Sequence, residues 1–125
     1  MTGITRILSS PTLLLRVEGG VLLALGLLLY WKIGGNWLAF VLLLLTPDIS
    51  MAGYLAGPVV GAATYNLIHL YLLPSILAAV AILTGNTIIL TLALIWFAHI
   101  NMDRLLGYGL KLPSDFKDTH LGKMG

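Results

Sequence analysis

The chain has 125 residues, of which 58% are hydrophobic and 10% charged, with no cysteine and a mean hydropathy of +0.97. That is too apolar for a soluble domain of this length, and the lack of cysteine excludes disulfides, thiolate nucleophiles and thiolate metal sites. The formal net charge of +2 comes without a basic stripe interleaved with aromatics, which argues against nucleic acid as a partner.

Met1 to Ser9 is short and amphipathic, with Ile4, Ile7 and Leu8 around Arg6, and is expected to lie in a membrane interface. Ser10 before Pro11 is an N-cap followed by proline at the first helical position. A first span is expected over about 12–32, close to the 20 residues that cross a bilayer. No small-x-small cleavage site follows its apolar core, so it does not read as a removed leader. Ile33-Gly34-Gly35-Asn36 is a turn. A second span is expected over about 37–56, with Trp31 and Trp37 as interfacial anchors. Gly57-Pro58 breaks the chain and opens a third span, about 58–83, which Pro74 should kink. Spans two and three can also be read as one re-entrant hairpin, although each is long enough to cross. Thr84-Gly85-Asn86 is the next turn, and a fourth span covers about 87–108. The predicted fold is therefore all-α: a four-transmembrane-helix bundle over 1–110, followed by a short polar tail over 111–125.

Four spans put both termini on one side, here called side A. Side A then holds Arg6, Arg16, Arg104, Lys111, Lys117 and Lys123, and the other side only Lys32. By the positive-inside rule side A is cytoplasmic, which places the chain in a cell's inner (plasma) membrane with both termini inside. Arg16 and Arg104 can snorkel to the interface.

Threading the spans brings every acid and histidine toward side A. Asp48, His69 and His99 come from three different helices, yet each falls roughly 12–17 Å below that surface. Asp103 lies one helical turn beyond His99 on the same face. Ionisable groups at such depth are costly and rarely left unpaired. They should meet one another, an ion, water or a ligand. Tyr65 and Asn66 share the helical face of His69 and are expected hydrogen-bonding partners. Gly53, Gly57 and Gly61, spaced by four, point weakly to close helix approach.

The motifs Arg16-x-Glu18, Pro47-Asp48-x-Ser50-Met51-x-Gly53-Tyr54, Tyr65-Asn66-x-x-His69, His99-x-x-x-Asp103-Arg104-x-x-Gly107-Tyr108-Gly109-Leu110-Lys111 and Phe116-Lys117-x-Thr119-His120-Leu121-Gly122 carry a resemblance. Together they resemble a family of short bacterial membrane proteins catalogued as domain of unknown function 4260, over essentially the whole chain. The resemblance implies that these polar positions belong to the family's pattern. It implies no activity, substrate or cofactor.

Imidazoles and carboxylates without thiolates suit Zn, Mn or Fe. His69, His99, Asp103 and Asp48 are the candidate metal ligands. A metal there would support hydrolysis of an amphipathic substrate entering from the bilayer, with Asp48 or Glu18 as general base and His120 on the tail as a lid group. Two other readings stay open. One is a proton or ion path, since such residues relay protons in membranes; the other is a structural or accessory subunit. Haem b held by His69 and His99 fits poorly beside the acids. The expected partners are the lipid bilayer and a lipid-like or small-molecule ligand, with a homo-oligomer left open.

Overall fold

The computed structural model describes residues 3–111 and the backbone of 118–119 and 122–123. Helix α1 covers Gly3–Leu8 and buries none of its residues. Helix α2, Pro11–Lys32, starts at Ser10, whose hydroxyl accepts from the Leu13 amide, with Pro11 at the first helical position. Helix α3, Trp37–Leu43, is capped by the Asn36 side chain, which accepts from Leu38 and Ala39. A 3-10 helix, Thr46–Ala56, continues it. Helices α4, Pro58–Ile68, and α5, Leu72–Thr84, make up the third apolar segment. Helix α6, Thr87–Leu106, completes the bundle. Beyond it, β1 (Asp118–Thr119) pairs antiparallel with β2 (Gly122–Lys123), Asp118 opposite Lys123.

Four segments are long and apolar enough to cross a membrane: Pro11–Lys32, Trp37–Ala56, Pro58–Thr84 and Thr87–Leu106. Leu55, Leu83 and Ile88 are 94%, 86% and 74% exposed, an arrangement that suits lipid contact and would be costly in water. The protein is an all-α, multi-pass membrane bundle. In the most apolar stretch of each segment, 44% of the fourth is buried and none of the second, so α6 is the central helix.

Small residues set the closest approaches. A methyl group on Gly19 would stand 2.5 Å from Arg104 Cβ and 3.0 Å from the Leu105 amide, so only glycine lets α2 lie this near α6. Arg16 reinforces the contact, its Nε donating to Leu105 O at 3.0 Å. The 3-10 helix and α4 interlock through two other glycines. The Thr64 side chain fills the space at Gly53, and the Tyr54 ring fills that at Gly61. The weak small-residue pattern thus has a structural use at two of its three positions. The third, Gly57, turns the chain at φ 112° and ψ 168°, a region essentially closed to other residues.

Two of the four segments are broken. The second changes from α to 3-10 geometry after Leu43. Runs of 3-10 helix beyond a single turn are uncommon, and they often mark hinges or strain. The third breaks between Ile68 and Leu72. The expected kink at Pro74 is therefore a break four residues upstream. Pro74 sits in the first turn of α5, where its missing N–H costs nothing. At the break, Trp96 Nε1 donates to Ile68 O at 2.7 Å and Arg104 Nη2 to His69 O at 3.4 Å. Side chains of α6 thereby take over carbonyls that a continuous helix would bond internally.

Candidate metal centre

Each break delivers one side chain of a polar cluster. His69 occupies the C-cap of α4, and its amide bonds back to Tyr65 O and Asn66 O. Asp48 lies in the first turn of the 3-10 helix. The unbroken α6 supplies His99 and Asp103 from one face, four residues apart.

One ligand atom from each of Asp48, His69, His99 and Asp103 lies within 4.8 Å of all the others. His69 Nε2 is 3.0 Å from His99 Nε2. Asp48 Oδ1 is 3.3 Å from His69 Nε2 and 3.1 Å from His99 Nε2. Asp103 Oδ2 is 3.5 Å from His69 Nε2 and 3.3 Å from His99 Nε2. A tetrahedral ion bound at about 2.0–2.2 Å spaces its ligands about 3.3–3.6 Å apart. The five separations therefore approximate five of the six edges of a coordination tetrahedron, and the two carboxylate oxygens lie within 4.8 Å of each other.

The partners of the imidazoles fix their tautomers. His69 Nδ1 lies 2.8 Å from Tyr65 O, and His99 Nδ1 lies 2.7 Å from Leu44 O. Main-chain carbonyls only accept, so in each ring Nδ1 carries the hydrogen and a neutral Nε2 presents a lone pair. With both rings neutral, two such nitrogens and two carboxylate oxygens converge as four acceptors with no donor hydrogen between them. Such a group is stable around a cation, whether a metal ion or a proton. Carbonyls behind Nδ1 are also the usual outer support of a metal-bound histidine.

Tyr65 supports the group from three directions. Its ring stacks on that of His69 at 3.7 Å and 9°. Its carbonyl orients His69, and its hydroxyl lies 3.4 Å from Asp103 Oδ2. Asn66 turns aside from this group. Its side-chain amide pairs with the backbone of Lys111, donating to Lys111 O at 2.7 Å and accepting from the Lys111 amide. Gly107 makes this return possible. At φ 88° it caps α6, with the Tyr108 amide bonding to Asp103 O at 2.7 Å. Lys111 is 2% exposed, with its Nζ 4.9 Å from the centre of the Tyr65 ring. Burial pushes its ammonium down from the usual lysine range, while Asp103 and Asp48 pull it back up.

Of the predicted site residues, the structure brings together Asp48, His69, His99 and Asp103. Their burial differs: His69 and His99 are 4% or less exposed at the side chain, Asp103 11% and Asp48 34%. Glu18 is on the exposed face of α2, outside the group. His120 and Phe116 lie outside the described residues. Four contributors escaped sequence reasoning: Leu44 O, Trp96, the Arg104 contact to His69 O, and Lys111 as a buried group. For Lys111 a signal existed, since Gly107 and Gly109 allow a fold-back toward Asn66 of α4.

No curated protein and no solved structure matches the chain. The family described as domain of unknown function (DUF4260) matches residues 12–124, the span over which the four helices and all four clustered groups fall. The chain belongs to that family.

Proposed function

We propose that the chain is a membrane-embedded metal protein in which Asp48, His69, His99 and Asp103 hold one divalent ion of the Zn, Mn or Fe type. The observation that carries this reading is the convergence of four acceptor atoms at 3.0–3.5 Å with both imidazole Nδ1 hydrogens directed away. The mixed nitrogen–oxygen set suits these borderline metals. Asp48 is the exchangeable ligand, being the most exposed of the four and carried on the 3-10 helix. Its departure would open one position to water. A metal at such a position supplies an activated water and polarises an acyl or phosphoryl group, the requirements of hydrolysis. The substrate class is amphipathic, because the centre lies within the membrane-crossing segments. Asp48, released, is the general base. Glu18 is exposed on α2 and is not one of the four clustered groups. Both termini face the cytoplasm, on the six-to-one division of Lys and Arg.

A second reading has its own observation. The 3.0 Å separation of the two Nε2 atoms is a hydrogen-bond distance if one ring holds a second proton, which would make the group a proton-binding site. Elemental analysis of protein purified without a histidine tag separates the two. One equivalent of metal, lost in His99→Ala, is expected for the metal centre. Metal-free protein that fails to take up Zn, Mn or Fe on titration would overturn it and leave the proton. Metal affinity should also fall below about pH 6.5, by up to about a hundredfold per unit as two imidazoles compete for protons.

A further inference from the structure

A cleft of about 300 Å³ is lined by neighbours of the Asp–His group in the chain, a size at the lower end of small-molecule sites. Three of its lining residues flank the proposed ligands in the chain. Pro47 precedes Asp48, Ile68 precedes His69, and Trp96 stands one turn before His99. Its other walls lead away from side A on three segments at once. Leu43 comes before Asp48 in a segment running toward side A, Leu77 follows His69 in one running away, and Leu92 precedes His99 in one running toward it. Leu92 is seven residues from His99, about 10 Å deeper at helical rise. The cleft thus leads away from side A and past the middle of the bilayer.

Its walls have no unmet hydrogen-bonding demand. The Thr46 hydroxyl donates to Leu43 O at 2.7 Å, and Trp96 Nε1 to Ile68 O at 2.7 Å. An occupant therefore needs no polar atom along this stretch. It needs one only at the end near the Asp–His group. A polar end nearer side A and an apolar length leading away from it is the polarity of an acyl chain entering from that side.

We infer that the cleft holds one fatty acyl chain, with its carboxyl or acyl-ester end presented to the Asp48–His69–His99–Asp103 group. This deepens the metal reading by making the substrate an acyl lipid, and it depends on that reading only for the chemistry at the polar end.

Trp96 in the wall is a built-in probe. The measurement uses the full chain carrying Trp31→Phe and Trp37→Phe, in maltoside micelles. A fatty acid brominated along its chain is titrated in and quenching is followed against its mole fraction in the micelle. The expected result is saturable quenching, reversed by the unbrominated fatty acid. Leu77→Phe or Ile95→Phe, which overfill the cleft, should raise the half-saturating mole fraction about tenfold. Linear quenching, or saturation indifferent to both variants, overturns the inference. Metal content is measured on the same samples. Bound metal with linear quenching overturns the acyl cleft and leaves the centre. Saturable, variant-sensitive quenching on protein that takes up no metal supports the cleft and overturns the metal reading alone.

Discussion

The bundle has two unbroken segments, α2 and α6, and two broken ones, α3 with the 3-10 helix and α4 with α5. The unbroken pair behaves as scaffold. Its helices meet at glycines, and α6 sets His99 and Asp103 on one face by regular helical spacing alone. The broken pair behaves as a fitting. His69 reaches the centre because α4 ends there, and Asp48 because the second segment changes pitch. A polar group at this depth needs its backbone satisfied as well as its side chain. The broken ends meet that need by borrowing Trp96 and Arg104 from α6. Regular helix thus fixes the position of the ligands, and interrupted helix brings the remaining ones to them.

The strongest way to break this comparison is to remove a ligand from each kind of segment. Four ligands share about 10–16 kcal/mol in small zinc sites, or about 3 kcal/mol each, so His99→Ala or His69→Ala should cost more than about a hundredfold in metal affinity. Competition with a chelator of known affinity reads this directly. A loss from one imidazole and none from the other would dissolve the shared centre.

The carboxylates come next. Asp103→Asn, on the unbroken helix, is expected to weaken binding about ten times more than Asp48→Asn, because the exposed Asp48 can be replaced by water. Equal effects in isothermal titration would deny the 3-10 helix its distinct role.

Packing gives a third contrast. Gly19→Ala meets backbone as well as Arg104 Cβ, whereas the nearest atoms to a methyl on Gly61 all belong to the Tyr54 ring. Gly19→Ala should destabilise by about 1–3 kcal/mol, and Gly61→Ala by less. Thermal unfolding in detergent orders the two; the reverse order would place the rigid contact in the broken pair.

The smallest effects belong to the surround. Tyr65→Phe removes a long hydroxyl contact to Asp103 but keeps the stacking on His69, and should lower metal affinity by no more than about tenfold. Lys111→Met removes a positive charge beside two carboxylates and should raise it severalfold. A fall in affinity for Lys111→Met would show the strap, rather than its charge, to be what the centre depends on.

Much of the unbroken half was legible in the sequence. Ser10-Pro11 and Asn86 announce helix starts, and Gly107 announces the end of α6. His99 and Asp103 needed only the helical repeat. The common depth of Asp48, His69 and His99 followed from counting residues along four apolar runs. The break in the second segment was not legible, and that in the third only in part, for a physical reason. His69-Leu70-Tyr71 contains neither glycine nor proline, and the helix ends there because α6 supplies donors to Ile68 O and His69 O. Those are tertiary bonds that no local pattern encodes. Pro74 was correctly suspected, and its inability to donate to Leu70 O is consistent with a break just upstream. Counting placed the level of Glu18, which is exposed on α2 and outside the four-residue group.

The 3-10 helix has one more consequence. Its 11 residues span about 22 Å, where an α-helix would span about 16 Å. The second segment therefore over-reaches a hydrocarbon layer of about 30 Å, and converting it to α geometry would relieve the mismatch by about 5 Å. Each converted residue also turns the following chain by about 20°. Conversion of the 3-10 helix would therefore also rotate Asp48 relative to His69 and His99.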